Sequence, residues 1–191
     1  LAQKEFAKNN LINEGIKKKN IYVVGNPGID FLVENINKNK IFNQHIKNTI
    51  LITMHRREGL DQTLGAFMEN LKKFMFINPE FMIYWPVHTN PNILRQIKRS
   101  FKEFDTSKIK FLKPLDYNKF IEYLKRSQFI ITDSGGIQEE CAYLGKPLLI
   151  ARDVTERQDI IRLKLGKLIN ADGSKLSKTI NFYKNNKISI K

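Results

Sequence analysis

QFIITDSGGIQEE, residues 128–140, decides the fold. Phe129, Ile130 and Ile131 make an apolar, β-branched run that reads as a buried strand from Gln128 to Thr132. The strand empties into Asp133-Ser134-Gly135-Gly136, and a helix is predicted from about Ile137 onward. A strand, a glycine turn and a helix N-terminus form the usual layout for holding an anion, because unpaired amides and the helix dipole both point at the turn. Glycines let a phosphate approach the backbone, and Ser134 adds a hydroxyl donor. A plainer reading stays open: Gly-Gly makes a tight turn, and Glu139 and Glu140 favour the helix dipole.

Outward from this stretch, short apolar runs alternate with longer segments of helical period. That is the pattern of an α/β domain with a parallel sheet. Strands are predicted at Ile21 to Val24, Thr49 to Met54, Phe81 to Val87, Ile109 to Leu112, Gln128 to Thr132 and Pro147 to Ala151. Between Asp61 and Ile77, Leu64, Phe67, Met68, Leu71, Phe74 and Met75 recur at three- and four-residue steps and line one helical face. Asp116 to Arg126 behaves likewise through Phe120, Ile121 and Leu124, with Asp116 as N-cap.

In such a sheet ligands gather at the carboxyl ends of the strands. HRRE (55–58), WPVHTNP (85–91), DSGG (133–136) and RDVTER (152–157) all follow predicted strands, so they make one rim. His55, Arg56, Arg57 and Glu58 suit a diphosphate, since Arg contacts phosphate oxygens bidentately, though they serve equally as a surface salt-bridge cluster. His88 sits in a loop stiffened by Pro86 and Pro91, where a lone histidine is more often structural than functional. Arg152, Asp153, Glu156 and Arg157 suit a ligand or one another. Glu140, one turn into its helix, is placed for a carboxylate that accepts bonds from ribose hydroxyls.

The chain has 191 residues, 33 basic and 19 acidic, for a formal net charge of +14. That length fits one ordinary domain or two small ones. The charge raises a nucleic-acid-binding module as an alternative, but Lys and Asn are abundant throughout and no block interleaves basic and aromatic residues as RNA-stacking surfaces do. Cys141 is the single cysteine, which excludes disulfides within the chain and suits a reducing, cytoplasmic setting. No apolar run approaches the roughly 18 residues needed to span a bilayer. No metal-ligand spacing, catalytic triad or dinucleotide fingerprint occurs, so neither metal nor cofactor is expected.

Taken in order, HRRE, PVHTNPN, PLDYNKF, TDSGGIQEE, LGKPLLI and RDVTER closely resemble the C-terminal domain of bacterial non-hydrolysing UDP-N-acetylglucosamine 2-epimerases. The resemblance runs from about Val24 to about Asp172. It implies a Rossmann-like doubly wound parallel sheet, one half of the glycosyltransferase-B architecture, with residues 1–48 as an entering helix and first strand and 49–191 as the UDP-binding domain. It further implies that Ser134, Gly135 and Gly136 hold the diphosphate and Glu140 the ribose, with Leu115 and Phe120 around the uridine. Arg157 matches a phosphate-side arginine and His55 a catalytic-site histidine, while Arg56 and His88 resemble contacts to a second, regulatory UDP-N-acetylglucosamine. The family eliminates UDP and adds it back to interconvert UDP-N-acetylglucosamine and UDP-N-acetylmannosamine, and feeds surface polysaccharide synthesis. Its acid and base carboxylates come from an N-terminal domain to which nothing here corresponds, so this chain alone is expected to be inactive and the complete enzyme a homodimer. GNPGID in place of GNTVID, Gly59 in place of asparagine and Gln158 in place of proline depart from the family pattern. The donor domain of a glycosyltransferase is the alternative with the same architecture.

Overall fold

The computed structural model describes residues 1–38, 46–54 and 60–186. HRRE, including the predicted His55 and Arg56, lies outside the described residues. Helix α1 (Glu5–Asn13) and a 3-10 turn (Lys18–Asn20) lead to α2 (Pro27–Lys38). Strands and helices then alternate: β1 (Ile46–Thr53), α3 (Leu60–Ile77), β2 (Met82–Pro86), α4 (Pro91–Ser100), β3 (Ile109–Leu112), α5 (Tyr117–Arg126) and β4 (Ser127–Thr132). After these come α6 (Gly135–Tyr143), β5 (Leu148–Ile150), α7 (Gln158–Arg162), β6 (Gly166–Leu168) and α8 (Leu176–Asn185).

Local chemistry sets several of these starts. Pro91 opens α4, where its missing N–H costs nothing, and the Asn90 side chain accepts from Asn92 N at 2.9 Å. Asp116 caps α5 as predicted, accepting from Lys119 N at 2.9 Å.

All strand pairings are parallel, and the order is β3-β2-β1-β4-β5-β6. Side chains alternate between two cores. Ile50 and Ile52 of β1 join Phe129 and Ile131 of β4 beneath α3, α4 and α8. Leu51 and Ile130 face the other way, against Leu124 of α5, Cys141 of α6 and Ile160 of α7. Fully burying one such side chain is worth about 1.5–3 kcal/mol. The result is a sheet covered on both faces, as expected for a doubly wound fold. The strand order reverses between β1 and β4, which makes the crevice above their carboxyl ends the topological switch point where ligands bind in such sheets. There Thr53 Oγ1 donates to Thr132 Oγ1 at 2.7 Å and ties the two strand ends together.

Two predicted elements differ. Ile21 to Val24 is no strand of the sheet: Val23 makes a single parallel bridge to Ala2, and Tyr22 and Val24 are exposed. The run pairs with the chain start instead, through Ala2 N to Tyr22 O at 2.8 Å and Val24 N to Ala2 O at 2.9 Å, and joins no strand of the six-stranded sheet. Conversely, Gly166–Leu168 adds a sixth strand beside β5. DSGG therefore follows the fourth strand and RDVTER the fifth.

Candidate functional site

Helix α6 starts at Gly135, two residues earlier than the sequence suggested, with Ser134 as an extended N-cap whose side chain makes no capping bond. The first intrahelical amide bond is Gln138 N to Ser134 O, so the amides of the opening turn face the crevice. The glycines differ in surroundings. A Cβ on Gly135 would lie 2.5 Å from Glu156 Oε1, whereas one on Gly136 would meet nothing within 4 Å. Gly135 is therefore a close approach between the turn and the 152–157 loop, and Gly136 faces open space.

Beside this turn lies a cleft of about 320 Å³ whose lining includes Thr53, Pro86, His88, Leu115, Phe120, Ile137 and Glu140. Its walls are mainly apolar, and Glu140 is the acid among them. Tyr117, also on the wall, donates its phenol to Glu140 Oε1 at 2.9 Å. Glu140 Oε2 is buried and has no hydrogen-bond partner among the described residues. Burial pushes the Glu140 carboxyl above the usual carboxylate range, and the Tyr117 bond pulls it back in part. The Tyr117 hydroxyl is itself pushed up, first by burial and then by the neighbouring Glu140 charge.

On the other side of α6 a second groove, about 650 Å³, is lined by Glu139, Arg157 and residues of α1 and α7. Arg157 Nε is 2.7 Å from Glu139 Oε1, a contact of charges rather than an aligned hydrogen bond. Glu139 also accepts from Asn26 Nδ2 and has Lys4 Nζ 4.0 Å away. One residue earlier on α6, buried Gln138 Oε1 accepts from Thr155 Oγ1 at 2.8 Å, and Thr155 Oγ1 in turn accepts from Arg157 N at 3.1 Å. Successive side chains of α6 thus hold the loop that carries Arg157. Arg152 and Glu156 pair with each other at 2.5 Å, and Asp153 accepts from Ala171 N at 3.1 Å.

Leu115, Phe120, Glu140 and His88 therefore meet at one cleft, Ser134 to Gly136 form the helix start beside it, and Arg157 lies across α6 with Glu139. His88 shares the lining of the Leu115 and Phe120 cleft rather than a separate one, and its Nδ1 accepts from Asn90 N at 3.1 Å. Tyr117 and Glu139 were not singled out by sequence. Tyr117 lies inside PLDYNKF, and a phenol in the first turn of a helix flanked by Leu115 and Phe120 was the available signal. No group of three His, Cys, Asp or Glu able to hold a metal occurs among the described residues, nor does a helix long and apolar enough to cross a membrane.

The family model for UDP-N-acetylglucosamine 2-epimerase matches residues 1–190. The UDP-N-acetylglucosamine 2-epimerase of Campylobacter jejuni is 38% identical over 178 residues, covering 85% of this chain and 46% of that protein. The crystal structure of UDP-GlcNAc 2-epimerase from Neisseria meningitidis bound to UDP-GlcNAc superposes with a TM-score of 0.86 at 30% identity, over 97% of this chain and 53% of that one. The Methanocaldococcus jannaschii UDP-GlcNAc 2-epimerase in complex with UDP-GlcNAc and UDP gives 0.83 at 30% identity, over 100% and 55%. The chain spans about half the length of the curated relatives it matches.

Proposed function

The chain belongs to the UDP-N-acetylglucosamine 2-epimerase family, and from that premise we propose that it is the C-terminal, UDP-binding half of such an enzyme, working in the cytoplasm on UDP-N-acetylglucosamine. The observation that carries the reading is the convergence of Leu115, Phe120 and Glu140 on one cleft at the switch point, beside the open N-terminus of α6. An apolar wall suits the uracil face, a carboxylate suits vicinal ribose hydroxyls, and free helix amides suit a diphosphate.

In the proposed reaction the C1–O bond of the sugar breaks, its electron pair leaves with UDP, and the C2 proton is removed, giving a glycal. The proton then returns to the opposite face of C2, and UDP adds back to C1. Negative charge grows on the departing diphosphate. The contribution of this chain is to stabilise that charge with the α6 amides and Arg157, and His55 acts as the histidine of the reacting site. The acid and base that move the C2 proton come from a second, N-terminal Rossmann-like half, and the complete enzyme is a homodimer.

Calorimetry with UDP, uridine and pyrophosphate tests the reading. UDP is expected to bind tighter than either fragment, with one site per chain, while the chain alone shows no turnover of UDP-N-acetylglucosamine. Pyrophosphate binding as tight as UDP would reduce the interaction to the +14 charge and overturn it.

A further inference from the structure

Three rings line up at the lip of the cleft. Phe31 stacks on Tyr117 with centroids 5.0 Å apart and planes 24° apart, and Tyr117 stacks on Phe120 at 6.4 Å and 26°. Held between α2 and α5 in this way, the Tyr117 ring has one orientation, and that orientation aims its hydroxyl at Glu140 Oε1. An unbraced glutamate has three rotatable bonds and would turn toward water. Here one oxygen is occupied and the other, buried Oε2, has no partner among the described residues. Burying an acceptor without a donor is costly. A ligand hydroxyl delivered into the cleft removes that cost.

We propose that Tyr117, clamped by Phe31, is a positioning residue that fixes the Glu140 carboxylate so that Oε2 reads a ribose hydroxyl, and that it thereby makes the site select ribonucleotides over their deoxy counterparts. The inference rests on the proposed UDP site and adds to it the origin of its sugar selectivity. Glu140 is the group that touches the ribose; Tyr117 acts through it. Burial pushes the Glu140 carboxyl up, and the Tyr117 bond is the contribution that works against it, toward the ionised form.

The test measures the affinities of this chain for UDP and for 2′,3′-dideoxy-UDP by calorimetry, in the unmodified protein and in Tyr117→Phe, which keeps the ring stack. The unmodified chain is expected to prefer UDP by about tenfold or more, the worth of a hydrogen bond to a charged acceptor. Tyr117→Phe is expected to lose most of that preference by weakening UDP, with dideoxy-UDP held within about twofold. Phe31→Leu, on a side chain 52% exposed and so little involved in folding, is expected to shift the ratio the same way by a smaller factor. Equal weakening of both nucleotides in Tyr117→Phe would mean a packing role and overturn the inference, as would an unchanged preference. In both cases the UDP site itself stands. A chain that binds UDP and dideoxy-UDP equally overturns instead the ribose role of Glu140, and one that binds neither overturns the proposed function; the inference falls with each.

Discussion

Arg157 and Glu139 are an ion pair across the groove between α6 and the 152–157 loop, with Nε 2.7 Å from Oε1. Glu139 is buried on its side of the pair and Arg157 is about one-third exposed. In the proposed site the carboxylate engages Nε, and the outer nitrogens of the guanidinium would be the ones offered to a phosphate. The same carboxylate accepts from Asn26 and lies near Lys4, which links it to the segment entering α2. Glu139→Gln keeps the volume and an acceptor for Asn26 but removes the charge. UDP affinity is expected to fall about tenfold, or about 1.4 kcal/mol, because Arg157 loses its orientation. Calorimetry checks this, and an affinity that rises would show that Glu139 neutralises Arg157 rather than positions it.

Gly136 separates binding from stability. It sits in the first turn of α6 with ordinary negative φ and open space where a Cβ would go. Gly136→Ala is therefore expected to raise unfolding stability by about 0.5 kcal/mol through lost chain entropy. In the proposed diphosphate site the added methyl would occupy the surface on which the diphosphate rests, and UDP affinity should drop by about tenfold or more. A thermal melt and a titration on the same variant give the two opposite signs.

Glu140 makes binding depend on pH. Burial raises its pKa above the ordinary 4.5, and in the proposed site the ionised form is the stronger acceptor for a ribose hydroxyl. Affinity should therefore rise with pH through this raised pKa and level off above it. UDP-N-acetylglucosamine is the better probe, because a sugar-capped diphosphate lacks the second phosphate ionisation near pH ~6. For stability the sign is opposite. A raised carboxyl contributes stability that is full below 4.5 and is lost as pH rises through the folded value. Glu140→Gln should then melt higher than the unmodified chain at pH 7 while binding the nucleotide more weakly and without the acid limb.

The fold was legible where strands are buried on both faces. Thr49 to Met54, Gln128 to Thr132 and Pro147 to Ala151 read as largely apolar runs because each strand is covered by helices above and below, and these became β1, β4 and β5. Gly166–Leu168 was not legible, since three residues with one apolar side chain among them carry no period. Tyr22, Val23 and Val24 show the opposite failure: their β propensity is met by a single bridge to Ala2 rather than by a strand of the sheet. In the site, Glu140 stood out because the helix start it follows is legible, whereas Leu115 and Phe120 came only through the resemblance of PLDYNKF. The Tyr117 to Glu140 bond joins two helices 23 residues apart, and the Glu139 to Arg157 pair joins residues that only the packing of α6 on the 152–157 loop brings together.

Lys146 carries a stability prediction away from the cleft. Its side chain is buried, with Nζ donating to Lys125 O and, at 3.1 Å, to Ser127 O, and so closes the junction of α5 and β4. Burial lowers its pKa from 10.5 to about 8, with nearby Lys125 pushing the same way and Cys141 opposing. The unfolded chain therefore binds more protons than the folded one between about 8 and 10.5. Stability from this residue is fully present above the unfolded value and is lost as pH falls through about 8. Cys141, Tyr117 and Tyr183, which burial pushes up, lose stability over the same pH range in any variant, so the Lys146 contribution is read as a difference: the change in denaturant stability from pH 8 to pH 10 should be about 2 kcal/mol more positive in the unmodified chain than in Lys146→Met. Lys146→Met should also lower stability at pH 10 because two buried carbonyls lose their donor. Equal pH 8 to pH 10 changes in the two chains would overturn the assignment to Lys146, and a Lys146→Met chain more stable at pH 10 would mean that the two carbonyls find other partners.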